Sequence, residues 1–349
     1  MKKKILAIGV VLALGLYVNG QDIHFSQINH SPLTLNPGLA GANYDVQATV
    51  NYKSQWNSVA SPYNTIAASA DMRLNTNKRV RKAHFALGVN FFNDQVGDSR
   101  VSTNNANLTF ASHVVIDKNH TLGLGLYGGW LQRSILPYNG IWDKQYDGMH
   151  YDPSLSSGES FMSSNFSSFD TGAGLVYTFS SVENYMRLNN SKLFNAGIGA
   201  YHLNRPNFSF LSRPNERLQI RFTGFVNGSF GVKNTRMLVE PGIYYTHQGS
   251  ASELLFGMYG RYIIRGESKI TGFIKKTSVA FGLFCRNKDA LITKFHMEWN
   301  GFGLGVSYDV NISSLTQVSK ARGGIELALR WIMGDLYFTR TSGIFRRRF

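Results

Sequence analysis

The residue types that carry out catalysis are present in this sequence, but their spacing matches no known catalytic constellation. The nine histidines are scattered along the chain. Three of them, His84, His113 and His202, fall within strand-like patterns, where an isolated histidine is usually a structural residue. The sequence contains no His-Glu-x-x-His zinc motif, no P-loop and no Gly-x-Ser-x-Gly nucleophile elbow. We therefore predict a protein that is not an enzyme, with no catalytic, metal-binding or cofactor-binding residues.

Two segments have compositions that suit protein recognition better than catalysis. The segment Ser134–Ser167 is rich in tyrosine and tryptophan, which supply a large contact area at low entropic cost. The segment Asn204–Arg217 is rich in proline and asparagine, and proline restricts the backbone. An alternative is that both segments fold over the protein as a lid. The candidate partner-binding residues in and beside the two segments are Tyr138, Trp142, Tyr146, Tyr151, His202, Pro206, Asn207 and Phe210.

The elements that carry these segments are predicted to be β-strands. Apolar residues alternate with polar or small ones, for example over residues 46–53, 122–127 and 302–311. In a soluble sandwich the apolar face would point into a core, whereas in a membrane barrel it points outwards to lipid. Strand candidates of about 9–11 residues and tryptophans near segment ends favour the barrel.

The amino terminus provides a third argument for the barrel. Three lysines precede an apolar run, Ile5–Val18, and Gly20 is a small residue of the kind that precedes signal peptidase cleavage. A membrane anchor is the alternative, but the run is shorter than the roughly 20 residues of a spanning helix. We therefore predict a cleaved signal peptide over residues 1–20. The single cysteine, Cys285, allows neither lipid attachment at the new terminus nor an internal disulfide.

Counting strand candidates predicts an all-β, antiparallel outer-membrane barrel of about 14 strands over residues 45–334. An even count places both barrel ends in the periplasm. Residues 21–44 then form a periplasmic or lumen-docking segment, because Phe25 and Leu33 are too apolar for a solvated tail. Residues 335–349 form a basic tail. The predicted strand centres are residues 51, 67, 88, 110, 127, 174, 198, 225, 240, 258, 281, 295, 306 and 328.

The same parity assigns each connection to one side of the membrane. The two candidate recognition segments fall outside the cell, and tight turns such as Lys233-Asn234 and Asn300-Gly301 fall in the periplasm. Outer-membrane lipid is therefore one expected partner. The net charge of +15 does not indicate nucleic acid in an exported protein. The periplasmic basic clusters are either solvated turn charges or a docking surface for an acidic partner, and they comprise Lys78, Arg79, Arg81, Lys82, Lys275, Lys276, Arg346, Arg347 and Arg348.

Short motifs along the chain resemble those of the PorP/SprF family of type IX secretion system membrane proteins. The motifs are Gln21–Gln27, Pro32–Pro37, Ala40-Gly41, Tyr52–Trp56, Tyr63–Asp71, Asn93–Gly97, Tyr201–Leu203 with Pro206-Asn207 and Phe210, Ser307–Asn311 and Gly323–Leu327. The resemblance implies a non-enzymatic outer-membrane barrel that takes part in protein secretion and, in some species, gliding motility. It implies one of two kinds of partner: other secretion components, such as periplasmic or lipoprotein subunits, or a large exported surface protein.

A small-solute porin or transporter is the alternative function, since barrels of this size bind ligands in the lumen. Under that alternative, Arg221, Arg236 and Arg330 are candidates to face inwards.

Overall fold

The described residues form one closed, all-antiparallel barrel of fourteen strands. The computed structural model describes residues 22–57, 61–74, 82–136, 142–158, 165–181, 191–208, 210, 217–266, 277–313 and 316–335. Each strand pairs with its neighbours in the chain, and β1 pairs with β14 to close the sheet. The strands are β1 (Tyr44–Gln55), β2 (Tyr63–Arg73), β3 (Ala83–Val96), β4 (Val101–Val115), β5 (His120–Ser134), β6 (Asn165–Ser181), β7 (Lys192–Tyr201), β8 (Arg221–Gly231), β9 (Met237–Gln248), β10 (Ala251–Arg265), β11 (Thr277–Arg286), β12 (Ala290–Trp299), β13 (Phe302–Asn311) and β14 (Arg322–Asp335).

The barrel prediction is confirmed, and every predicted strand centre lies within a different one of the fourteen strands. Alternation along β13 shows which face is which: Leu304 is 43% exposed on the outside, whereas Ser307 is 1% exposed on the inside. Apolar side chains point outwards and polar ones inwards, which is the reverse of a soluble sandwich. No helix among the described residues has the length and apolar character to cross a membrane.

The seam between β1 and β14 is paired along its length, from Tyr44 opposite Asp335 to Gln55 opposite Gly324. A closed sheet satisfies the backbone N–H and C=O groups that an open edge would leave unpaired in lipid. The barrel therefore meets the main requirement for a β-structure that spans a bilayer.

The two ends of the barrel differ. At the end that we name the loop rim, β1 ends and the two longest connections lie, 135–164 and 202–220. At the opposite end, the turn rim, β1 begins and β14 ends, and the connections include the two-residue turn 300–301. Short connections such as 249–250 also occur at the loop rim, so only the two longest connections distinguish the rims.

Residues 22–41, which we name the plug, lie inside the barrel ahead of β1. The plug contains two single-turn 3₁₀ helices, Ile28–His30 and Pro37–Leu39, and one short α-helix, α1 (Pro32–Leu35). Proline begins both α1 and the second 3₁₀ helix, at the position where its missing N–H costs no intrahelical hydrogen bond. The apolar plug side chains are buried; Phe25, Leu33 and Leu35 are each at most 3% exposed. A second short helix, α2 (Thr316–Ser319), lies in the β13–β14 connection.

Candidate functional site: the plugged lumen and the loop rim

The lumen wall near the loop rim holds the plug through buried charges. The backbone N–H groups of Ser26 and Gln27 donate to the two carboxylate oxygens of Glu326, at 2.7 and 2.9 Å. The Ser26 hydroxyl donates to Asp309 at 2.6 Å and accepts from Arg286 at 2.8 Å. Hydrogen bonds to charged groups are shorter and stronger than neutral ones. These contacts therefore fix the start of the plug against β11, β13 and β14.

The charged wall continues towards the turn rim. Arg261 bridges two carboxylates, with nitrogen–oxygen distances of 2.7 Å to Glu240 and 3.3 Å to Glu298. The ring of the plug residue His30 lies 4.6 Å from that of His296 on β12, centroid to centroid. Buried charges are costly unless they are paired, so loss of Arg261 would leave Glu240 and Glu298 without this partner.

Polar side chains of β7 and β8 satisfy the carbonyl groups of helix α1. Leu33 accepts a hydrogen bond from the Tyr201 hydroxyl at 2.9 Å. The next two carbonyls, of Thr34 and Leu35, accept from Arg221 at 3.3 Å and from Thr223 at 2.8 Å. The Pro32 carbonyl accepts from the Asn36 N–H at 2.9 Å, but the last carbonyls of so short a helix have no intrahelical partners. The barrel wall therefore supplies the partners that the helix lacks.

The plug backbone packs directly against glycines of β5 and β6. A Cβ atom added to Gly125 would overlap the carbonyl carbon of Pro37, and one added to Gly174 would overlap the Asn36 side chain. The Asn36 amide also donates to the carbonyl oxygen of Ile198 at 2.8 Å. Glycine is needed at Gly125 because the plug backbone lies where a Cβ would be, and at Gly174 because the Asn36 side chain occupies that space.

The plug leaves the lumen at the turn rim through Gly41. This residue has a φ of +61°, in the left-handed region that favours glycine. Its N–H donates to Asp71 at 2.8 Å, and the carbonyl of Ala40 lies 2.7 Å from Nε2 of His113. The ring of His113 stacks on that of His84 at 4.6 Å. Two of the histidines in strand patterns thus pack around the point where the plug turns into β1.

At the loop rim, Asp22 forms the other end of the plug. One carboxylate oxygen of Asp22 lies 2.6 Å from Nε2 of His202 and 3.4 Å from Arg221. The Asp22 N–H donates to Gln248 at 2.8 Å. The second ring nitrogen of His202 lies 2.9 Å from Asp170. His202 therefore bridges the plug and the barrel wall.

The electrostatics of this group favour an ion pair. Burial opposes the charged form of His202, but Asp22 and Asp170 outweigh it and raise the pKa of His202 to about 9. Burial also opposes ionisation of Asp22, yet His202 and Arg221 hold the pKa of Asp22 well below its usual range. The pKa of His202 is raised and that of Asp22 is lowered, and both shifts favour the charged form, so at neutral pH the pair is an imidazolium and a carboxylate.

The candidate residues of the β5–β6 connection lie on the outside of the loop rim. Tyr138 is outside the described residues. Tyr146 pairs with Tyr151 in an isolated antiparallel bridge, and these side chains are 57% and 39% exposed. The buried Gln145 organises the turn, because its side chain accepts from the Trp142 N–H and donates to the Leu155 carbonyl. Three of the four predicted aromatics therefore belong to one preformed structure.

The candidate residues of the β7–β8 connection divide into two groups. His202 is 3% exposed and contacts the plug, as described above. Pro206 is buried, Asn207 forms an isolated bridge with Arg217, and Phe210 packs edge-on against Phe166 at 5.2 Å. The structure thus places His202 in the lumen wall and the other three in the body of the connection.

Sequence reasoning missed the partners of His202. Asp22 lies within the Gln21–Gln27 motif, but nothing local in the sequence pairs it with His202, the first residue after β7. Of the arginines considered for the lumen, Arg221 and Arg330 do face inwards, and Arg330 lies 3.7 Å from Glu298. Arg236 does not, since it is exposed in the β8–β9 turn and donates to the Ile264 carbonyl. In the part of the chain that the structure describes, no three His, Cys, Asp or Glu side chains are placed to hold a metal ion.

Comparisons with solved structures find other barrels at low sequence identity. TbuX, the toluene transporter of Ralstonia pickettii, has a TM-score of 0.49 and 10% identity, covering 88% of this chain and 94% of that chain. The TodX deltaS2 mutant, a monoaromatic hydrocarbon channel, has a TM-score of 0.45 and 10% identity, covering 86% and 92%. BamA from Haemophilus ducreyi, lacking POTRA domains 1–3, has a TM-score of 0.42 and 9% identity, covering 83% and 70%. No curated protein sequence matches the chain.

The sequence profile of one family matches nearly the whole chain. That family is described as type IX secretion system membrane protein PorP/SprF, and the match covers residues 18–331, which include the plug and almost all of the barrel. The chain therefore belongs to the PorP/SprF family, as an outer-membrane β-barrel component of the type IX secretion system.

Proposed function

We propose that the chain acts as a non-enzymatic surface dock, which holds a large exported protein at the outer membrane. The observation that carries this proposal is the preformed hairpin of the β5–β6 connection. Tyr146, Met149 and Tyr151 project from it, and Met149 is 89% exposed. Exposed aromatic and methionine side chains on an ordered support are typical of protein interfaces.

The proposal takes the loop rim to face the cell exterior and the turn rim to face the periplasm. Outer-membrane barrels have short periplasmic turns and longer extracellular loops, and both ends of their strand order lie in the periplasm. The two longest connections of this barrel, 135–164 and 202–220, share one rim. We keep the predicted signal peptide as part of the proposal, with cleavage near Gln21 delivering the chain to the periplasm before assembly.

The plugged lumen supports a dock over a small-solute porin. The plug contacts opposite walls: Ser26 and Gln27 bind β14, whereas Asn36 binds β7. In planar bilayers we therefore expect low conductance from the intact protein and high conductance after deletion of residues 22–41. Equal, large conductance from both proteins would support the porin instead.

A hairpin replacement tests the dock. Residues 142–155 are replaced by a short Gly-Ser linker, and the barrel is checked by its heat-modifiable migration on gels. We expect the variant barrel to assemble while co-purification and surface display of the exported partner are lost. The matched control is the same linker inserted between Asn287 and Lys288, in another loop-rim connection.

The two outcomes separate the dock from a scaffold for periplasmic components. Loss of the exported partner with retention of other secretion components supports the dock. Normal display of the exported partner in the hairpin variant would contradict it, and the periplasmic basic turns would then be the next candidates for recognition.

A further inference from the structure

We propose that the described parts of the β7–β8 connection, residues 202–208, 210 and 217–220, act as a latch that holds the start of the plug at the loop rim. Displacement of the latch releases Asp22 and Ile23 towards the exterior while the plug from His24 onwards stays seated. The direction of release rests on the proposed orientation of the barrel, whereas the latch itself does not.

The first argument is the path of the plug through the lumen. Asp22 contacts residues at the loop-rim ends of β8 and β9, namely Arg221 and Gln248. Gly41 contacts Asp71, near the turn-rim end of β2. The plug therefore runs from one rim to the other, and its first described residue, Asp22, lies at the rim opposite the one where β1 begins.

The second argument is that both ends of one connection meet on one plug carboxylate. His202 is the first residue after β7, and Arg221 is the first residue of β8. They lie 2.6 and 3.4 Å from the same oxygen of Asp22. Asp22 of the plug therefore holds together the two ends of the connection, His202 and Arg221, which we name its base, and the base cannot open while both contacts persist.

The third argument concerns residues 206–208 and 210, which we name the body of the connection and which are attached to the barrel wall. The Arg133 guanidinium of β5 lies 3.9 Å from the ring centre of Phe208 and donates to its carbonyl oxygen at 2.9 Å. Phe210 packs on Phe166 of β6. A protein that binds at this surface would contact the body, and residues 203–205 connect the body to His202 in the base.

The backbone of His202 is strained, so the base should move when the side-chain contacts that hold His202 are lost. His202 has a φ of 58°, and non-glycine residues adopt this region only where surrounding contacts impose it. Here the contacts are the two carboxylates and the Tyr127 hydroxyl, which accepts from the His202 N–H at 3.3 Å. When they are lost, the backbone relaxes away from the seated position.

Release is confined to the terminal residues because later anchors are independent of the latch. His24 accepts a hydrogen bond from Lys53 through its carbonyl, and Ser26 and Gln27 bind Glu326. None of these contacts involves the β7–β8 connection. The latch therefore changes exposure of the plug terminus without opening the lumen.

Cysteine labelling in intact cells tests the latch. Ile23→Cys is introduced in a Cys285→Ser background, since Cys285 is the single native cysteine. Ile23 is partly buried against a cluster that contains Phe25, so its labelling rate by a membrane-impermeant maleimide reports release. The latch variants are Asp22→Asn, His202→Gln and Phe208→Ala. The control is His150→Gln, which removes a histidine paired with Asp147 on the other loop-rim connection.

We expect the latch variants to label about tenfold faster than the parent, because each removes a charge-assisted bond or the anchor of the body. Planar-bilayer conductance of the same variants should stay at the parent level. Labelling rates equal to that of His150→Gln would overturn the latch. If labelling requires permeabilised cells yet remains faster in the variants, the latch stands and the proposed orientation is wrong.

Discussion

The Nε2 atom of His202 lies 2.6 Å from a carboxylate oxygen of Asp22, although the two residues are 180 positions apart in the chain. Closing the chain between Asp22 and His202 costs conformational entropy. We therefore expect the contact to form late, once the strands between the two residues are paired. The pair therefore links the plug to the barrel wall, and it can form only when the plug lies inside the barrel.

The His202–Asp22 pair predicts a pH dependence at alkaline pH. His202 has a pKa of about 9 in the folded protein and 6.5 as its ordinary value. Its contribution, of order 3 kcal/mol, is complete below the ordinary value and is lost as pH rises through about 9. The groups facing the imidazole are Asp22, Asp170 and Tyr127, with Arg221 beside Asp22.

We therefore expect maleimide labelling of Ile23→Cys in purified protein to accelerate between pH 8 and 10, after correction for the reactivity of a free thiol. In His202→Gln the corrected rate should be independent of pH over the same range. An identical pH profile in both proteins would show that another group controls exposure of the plug terminus.

A second prediction concerns Gly41, where the plug turns into β1. Alanine at Gly41 costs about 1–2 kcal/mol for its positive φ alone. Its Cβ would also lie 2.5 Å from that of Ala86, a distance that real Cβ atoms do not show. Gly97 has a similar φ of +69° but open space around its Cβ.

Gly97→Ala is therefore the matched control, and Gly41→Ala should lower the thermal midpoint of the heat-modifiable transition clearly further. The difference between the two variants isolates the packing of the plug against β3. Equal midpoints would show that Ala86 moves aside without cost.

A third prediction concerns the close approach of the plug to β5. Valine at Gly125 cannot coexist with the seated Pro37, because the two would overlap. We expect Gly125→Val to insert as a barrel but to displace the plug, which raises planar-bilayer conductance towards that of the 22–41 deletion. Gly224→Val adds the same side chain where nothing lies within 4 Å, and it should conduct like the parent. Low conductance from an assembled Gly125→Val barrel would mean that the plug adjusts its path.

A fourth prediction tests the outward face. Leu108 lies at the centre of β4 and is 70% exposed, whereas Val114 lies near the turn-rim end of the same face at 50%. Arginine costs about 2–4 kcal/mol on the lipid face at the bilayer midplane and about 0–1 kcal/mol near the interface. Leu108→Arg should therefore reduce assembly in lipid vesicles much more than Val114→Arg. Equal losses would contradict this placement of the strand in the bilayer.

The sequence determined the barrel, because the information that specifies it is local. Alternation with a period of two is readable within each strand, as in Leu304 and Ser307, and it fixes which side chains face lipid once a membrane is assumed. Turn residues between the strands then give the number and order of the strands, which is why all fourteen strand centres were predicted correctly.

Only the tertiary structure decided what fills the barrel and which residues hold it. The apolar plug side chains predict burial somewhere, but the partners of the plug come from strands all round the barrel, including β1, β2, β4, β7, β8, β9, β11, β13 and β14. The positions of these partners along the barrel axis depend on the stagger of the closed sheet. Arg221 and Arg236 show what the sequence could not predict. Arg221 begins β8 and binds the plug, whereas Arg236 precedes β9 and lies in an exposed turn. A lumen contact is set by closure of the whole barrel, and no segment of the sequence encodes that closure alone.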